Sequence, residues 1–331
     1  MFERGARERE RCVGARHEGG PVSPRVIDAH VHLYGADLAP PYWYEAMAEY
    51  GASLSGRPRE EVLATIERDW FDPDGDRLVA DMDAAGIDRS LVYLLDFGLY
   101  GGTNDSVSLE RRYELFAAAV ARHRERLVFF GGVDPRRPDA LRLIERAHSE
   151  WGLAGVKIWP PAGVYPNEPA CYRVYQLCAQ LGLPVVIHTG QEIGPLRSEC
   201  TRPIYADQPA NDFPELTFVL AHAGMAWWRE AADIAWHHPN VYVDIAYWQS
   251  KYLRSPEGFA RELRGLISTA GKRRVIFGTD WPALRAVRRV APATWVEVLR
   301  RLPEDPIGGV EFEREEIDLL LGGNAEAILG L

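Results

Sequence analysis

VIDAHVHL, residues 26–33, is a short apolar run with a polar side chain at every second position. A strand sends alternate side chains to opposite faces. Asp28, His30 and His32 are therefore expected on one face, and Ile27, Ala29, Val31 and Leu33 on the other. Two imidazoles side by side on a buried strand fill a core poorly. They make a good pair of metal ligands, because neutral imidazole readily binds divalent transition metals. The competing reading is a chance His-X-His pair on a surface strand, so the rest of the chain must supply the other ligands.

Seven further apolar runs follow: 89–96 (RSLVYLLD), 127–134 (LVFFGGVD), 153–159 (LAGVKIW), 183–188 (LPVVIH), 216–222 (LTFVLAH), 241–246 (VYVDIA) and 274–280 (RVIFGTD). Stretches with helical spacing separate them, several stopping at a glycine, as at Gly86 and Gly182. Continuous apolar runs suit parallel strands covered on both faces. Eight such units predict an α/β fold, a distorted (β/α)8 TIM barrel. Its first loop, 34–75, is enlarged, and its last segment, from Pro282, is mainly helical. A doubly wound sheet is the rival architecture.

The polar residues favour the barrel. His30, His32, Asp96, Asp134, Lys157, His188, His222 and Asp280 end successive strands, and Asp244 lies two residues before the end of the seventh. In a closed barrel these ends converge on the face that carries the active site. His30, His32, His188 and Asp280 then supply the N and O ligands of a catalytic metal, provided strand one meets strand eight. His222 stands beside them, as a fifth ligand or a general base. Lys157 is either carboxylated and bridges a second metal, or unmodified and paired with Asp134 or a substrate anion; the unmodified form is favoured. Asp96, Asp134 and Asp244 either orient imidazoles or cap helices, with capping favoured for the first two. Asp28 is assigned support rather than coordination.

Composition excludes several classes. Hydrophobic content of 47% and charged content of 26% are those of a globular chain. A net charge of −10 disfavours nucleic acid and anionic membranes as partners. Of 38 basic residues only Lys157, Lys251 and Lys272 are lysine. Cys12, Cys171, Cys178 and Cys200 form no Cys-X-X-Cys pair and fit reduced thiols in a cytoplasm. No run reaches the length of a membrane span. Residues 1–24, rich in Arg, Glu and Gly, read as a disordered tail ahead of a single domain over 25–331.

With DAHVHL, GVKIWPP, VVIHTG, FVLAHAG, VDIAYW, FGTDWP and GGNAEAILGL in this order, the chain resembles the amidohydrolase superfamily. More narrowly, it resembles the branch of aminocarboxymuconate-semialdehyde decarboxylase-like enzymes. The resemblance implies one divalent metal, usually zinc with manganese an alternative, held by His30, His32, His188 and Asp280. It implies His222 as the neighbouring acid or base, and a homodimer as a family expectation. The branch holds hydrolases and non-oxidative decarboxylases. The expected activity is hydrolysis of a small cyclic or carboxylated substrate by a metal-activated water, with Asp280 taking its proton. The alternative is decarboxylation of an aromatic or muconate-type acid, for which Arg197 or Arg202 is the candidate carboxylate anchor. A non-catalytic metal-binding barrel is a third reading. Trp281, Trp248 and Tyr247 are expected to rim the pocket, and Tyr42, Trp43 and Tyr44 to close over it.

Overall fold

The structure is a computed structural model, which describes residues 24–98, 107–193 and 196–330. Nearly all of the expected tail, with Cys12, lies outside the described residues. The eight strands are β1 (Ile27–Val31), β2 (Arg89–Tyr93), β3 (Leu127–Gly132), β4 (Gly155–Ile158), β5 (Val185–His188), β6 (Phe218–Ala221), β7 (Val241–Asp244) and β8 (Val275–Ile276). All neighbouring pairs are parallel, in the order β1 to β8.

The sheet closes beyond β8. Ala29 N donates to Phe277 O (2.9 Å), Asp280 N to His30 O (2.8 Å) and His32 N to Trp281 O (2.8 Å). The expected meeting of strands one and eight is therefore present, and it fastens His30 to Asp280 through the backbone. The ladder strands are shorter than the apolar runs. The surplus residues at their C-terminal ends form the mouth.

The helices are α1 (Pro41–Ser55), α2 (Arg59–Trp70), α3 (Asp76–Ala85), α4 (Leu109–Arg122), α5 (Ala140–Trp151), α6 (Pro169–Leu181), α7 (Asp207–Asp212), α8 (Trp228–His237), α9 (Gln249–Arg254), α10 (Pro256–Ala270), α11 (Pro292–Arg301), α12 (Arg314–Asp318) and α13 (Asn324–Leu329). Local chemistry sets their ends. Ser255 Oγ accepts from Gly258 N (3.0 Å) at the start of α10, with Pro256 in the first helical position. Gly152 closes α5 in the left-handed region (φ 69°). The first loop is thus two helices, α1 and α2, and Trp43 and Tyr44 of α1 join Tyr34, Phe97 and Trp159 in a separate cluster over the mouth.

Apolar packing forms two layers below that roof. Ile27, Ala29, Leu91, Tyr93, Phe130, Val186 and Val219 fill the barrel interior. Val31 and Leu33 join Leu78, Met82 and the other helix-facing residues outside it. The strict two-residue alternation expected of β1 therefore fails: Ile27 and Ala29 face inward, and Val31 and Leu33 outward. A register shift between Asp28 and Val31 is the cause, since an extra residue in a strand exchanges its faces. Asp28 consequently serves the seam. It accepts from Thr279 N (2.9 Å), Thr279 Oγ1 (2.6 Å) and His30 N (3.2 Å). At the opposite end, Asn324 Nδ2 donates to the carbonyls of Lys272 and Val275, tying the last helix to β8.

Candidate metal centre and its pocket

Four histidines and Asp280 meet at the mouth. His30 Nε2 lies 3.2 Å from His32 Nε2 and 3.6 Å from Asp280 Oδ1; His32 Nε2 is 3.4 Å from the same oxygen. The His222 ring centroid is 4.7 Å from both the His30 and His188 rings. Ligand atoms of His30, His222 and Asp280 fall within 4.8 Å of one another.

The outer nitrogens decide which way the rings point chemically. His30 Nδ1 donates to Asp244 Oδ2 (2.8 Å), His32 Nδ1 to Tyr93 O (3.0 Å) and His222 Nδ1 to Ala246 O (3.1 Å). A carboxylate or carbonyl can only accept, so each Nδ1 carries the proton and each Nε2 presents a lone pair inward. Asp244 does more than hold His30: its Oδ1 also accepts from His222 N (2.7 Å) and Ala246 N (2.9 Å). It orients two of the four imidazoles, one through the ring and one through the backbone.

Burial sets the charges. It lowers His30 and His188 well below the usual imidazole range and His222 to about 4, so these rings are neutral near pH 7. Burial pushes Asp280 up, but its surroundings of His32, His222 and the Lys157 ammonium outweigh it and hold the carboxyl at about 2. Neutral nitrogens around one carboxylate are the donor set of a divalent transition metal. Two further observations fit that group. The Nε2 lone pairs of His30 and His32 face each other at 3.2 Å with both protons committed elsewhere, which repels unless a cation lies between them. His188 Nε2 is buried with no hydrogen-bond partner.

Backbone conformation aims these side chains. His222 (φ 59°), Ala223 (φ 44°), Met225 (φ 49°), Tyr247 (φ 65°) and Asp280 (φ 58°) are all left-handed and none is glycine. Each follows β6, β7 or β8. Such residues cost of order 1–3 kcal/mol and persist only where the surroundings over-determine them.

The cavity over the centre has a volume of about 480 Å³. Its lining includes His32, Lys157, His188, His222 and Asp280, with aromatic walls from Tyr34, Trp43, Trp70, Trp159 and Tyr247. Lys157 Nζ is wholly buried, 3.5 Å from His30 Nε2 and 4.9 Å above the Tyr93 ring. Burial lowers it to about 8. Its expected pairing with Asp134 is absent: Arg136 Nη2 holds Asp134 at 2.6 Å, and Arg137 holds Asp96 through two bonds of 2.7 and 2.8 Å. Asp96 and Asp134 fix loops, and among the described residues neither is seen to orient an imidazole.

Six of the expected pocket residues are elsewhere. Trp281 is buried away from the cavity, its Nε1 donating to Asp81 (2.8 Å); the residue after Asp280 turns to the opposite side of the chain. Trp248 is fully buried and donates to His222 O (2.9 Å), bracing the left-handed turn instead of lining the pocket. Arg197 is 62% exposed beside Glu199, and Arg202 is paired with Glu230; neither lines the cavity. Tyr44 donates to Gly35 O, and Tyr42 borders a separate surface hollow. Trp43 and Tyr247 do line the cavity.

Two functional candidates come from segments without periodic signal. Glu192 follows His188 by four residues and stands in the pocket with Oε1 3.0 Å from His188 Nε2. Arg254 ends α9 at the pocket wall and has no hydrogen bond or ion pair among the described residues. A His with a carboxylate four residues on was the available signal for Glu192; nothing distinguished Arg254 among so many arginines.

The family model described as Amidohydrolase matches residues 27–331. A 2-amino-3-carboxymuconate-6-semialdehyde decarboxylase from Dictyostelium discoideum is 22% identical, over 92% of this chain and 91% of its own length. Among solved structures, the 5-carboxyvanillate decarboxylase of Novosphingobium aromaticivorans, determined with bound manganese, superposes with a TM-score of 0.67 at 18% identity, covering 95% of this chain and 99% of that one. The 5-carboxyvanillate decarboxylase of Sphingomonas paucimobilis gives 0.64 at 20% identity, covering 93% and 100%. At these identities the structures speak to fold, which is the barrel described above. No described helix is long and apolar enough to cross a membrane.

Proposed function

The chain belongs to the amidohydrolase family, and on that premise we propose that it is a metal-dependent, non-oxidative decarboxylase of a small carboxylated ring or muconate-type acid. This puts the alternative reading of the sequence ahead of hydrolysis. The observation that carries it is Arg254, a guanidinium with no hydrogen bond or ion pair among the described residues, on the wall of an aromatic cavity that also holds the candidate metal centre. An arginine so placed suits a substrate carboxylate, which it can bind in a fork. The relatives named above, which are decarboxylases, support the same direction.

In this reading His30, His32, His188 and Asp280 hold one divalent ion, zinc or manganese. When bound, the ion supplies positive charge that anchors and polarises a substrate oxygen. The chain's own groups do the rest. The aromatic walls sandwich the ring and exclude water. His222, neutral with its Nδ1 proton locked on Ala246, offers Nε2 to the substrate. It takes a proton from a substrate hydroxyl and returns it to the carbon bearing the carboxylate. The bond to the carboxyl carbon then breaks, its electron pair stays with the ring, and CO2 leaves. Lys157 lends positive charge to the polar floor.

The test is a panel of hydroxybenzoates, muconate-type acids, lactones and amides offered to the metal-loaded protein in D2O. Release of CO2 with one deuterium at the vacated carbon is expected. Turnover of lactones or amides with no CO2 from any acid would restore the hydrolase reading. Bound metal with no turnover of any of them would leave the non-catalytic metal-binding barrel.

A further inference from the structure

Glu192 has no role in the chemistry above, yet it is a carboxylate enclosed in the cavity, with 17% of its side chain exposed. No lysine or arginine is within ion-pairing distance of it among the described residues; its one ion-pair contact is His188. Its Oε1 lies 3.0 Å from His188 Nε2, closer than many hydrogen bonds, and still no hydrogen bond forms. The oxygen is off the axis of the nitrogen lone pair. Two polar atoms this close that do not point at each other have the arrangement that two donors take when both face a third body. Ligands about 2.1 Å from one ion and at right angles stand about 3.0 Å apart, and each is then off the other's axis.

We propose that Glu192 is a further protein ligand of the ion held by His188, supplied by the loop after β5. The proposal rests on the metal reading of the site. A second carboxylate beside Asp280 makes the donor set harder, which shifts the balance toward manganese and narrows the usual lead of zinc. Glu192 is thus assigned both to the coordination sphere and to the choice of ion.

The experiment uses the full chain, stripped by dialysis against a chelator and titrated separately with Mn2+ and Zn2+ by calorimetry. Glu192→Gln and Glu192→Ala are compared with wild type, and Co2+ serves as a spectroscopic probe of coordination. Glu192→Gln keeps shape and volume if the alanine variant folds poorly. Wild type should bind one ion, with Mn2+ affinity falling about 10- to 100-fold in the variants. Zn2+ should lose less, and the visible Co2+ band should shift. Wild-type Mn2+ affinity in both variants overturns the assignment while leaving the metal centre intact. Weakened binding with a superimposable Co2+ spectrum also overturns it, making Glu192 a positioning residue for His188. A wild-type protein that binds no ion at all overturns the metal reading itself, and that failure is visible before any variant is made.

Discussion

Asp244→Asn should disarm His30 without moving it. The carboxylate is enclosed by donors: Oδ1 accepts from two backbone N–H groups, His222 (2.7 Å) and Ala246 (2.9 Å), and Oδ2 from His30 Nδ1 (2.8 Å). Asparagine has one acceptor oxygen and one donor nitrogen. Two fixed N–H groups keep the oxygen at the Oδ1 position, so the NH2 must face His30. The imidazole can meet it only as an acceptor at Nδ1, which moves its proton to Nε2. That is the atom turned toward His32 and Asp280. The variant thereby blocks one of the four proposed ligands by tautomer alone. Loss of an outer carboxylate partner ordinarily lowers metal affinity about 10- to 100-fold, or about 1.4–2.7 kcal/mol. The enforced tautomer places Asp244→Asn at the upper end. Calorimetric titration of the stripped protein with Mn2+ reads the affinity, and nitrogen NMR of the histidines reads the tautomer. Wild-type affinity, with His30 still protonated at Nδ1, would refute the reasoning.

Asp280→Asn should abolish turnover while urea unfolding stays near wild type; wild-type rates would remove its assigned role. Arg254→Met should raise KM for a carboxylated substrate about tenfold, the worth of a charged hydrogen bond, with a smaller effect on kcat; an unchanged KM leaves the arginine a bystander. His222 is held at about 4 against 6.5 for the free side chain. The unfolded chain therefore takes up its proton first as pH falls. The stability His222 contributes is present above pH 6.5 and is lost toward pH 4, by about 1.4 kcal/mol per pH unit within that window. His222→Gln should flatten the pH dependence of the metal-free protein between those limits by one proton, as read from urea midpoints. Gly132→Ala should cost about 3 kcal/mol, because a Cβ there would meet the Leu94 carbonyl and stand 2.6 Å from Asp96 N, neither of which can yield; an unchanged melting temperature would contradict the packing described for β2 and β3.

The sequence announces the barrel because each strand is an apolar run needing cover on both sides, and the ionisable residues at the run ends mark one mouth. His30, His32, His188, His222 and Asp280 were legible for that reason. What failed was inference from adjacency. Trp281 follows Asp280 and Trp248 follows a rim tyrosine, but in a turn a neighbour in sequence can point the other way, and both indoles brace the backbone from behind. The reversal of faces within β1 depends on a single extra residue, which leaves no trace in an apolar pattern. Helices α1 and α2 were hidden because α1 begins on Pro-Tyr-Trp-Tyr and carries Gly51 inside, so tertiary packing rather than propensity holds it. Glu192 and Arg254 act from loop and helix end, where no period announces a direction.

The five left-handed residues after β6, β7 and β8 bear on how this barrel can be made hardier. Exchanging such a residue for glycine relieves the crowding of its Cβ, against a larger loss of chain entropy on folding. At His222 and Asp280 that step is closed, since the conformation and the functional group reside in the same residue. Ala223, Met225 and Tyr247 leave it open, although Met225 and Tyr247 also wall the cavity. Heat tolerance in this scaffold is therefore to be sought first at Ala223, then in the helical ring, and last at the mouth, where endurance and chemistry compete for the same few backbone angles.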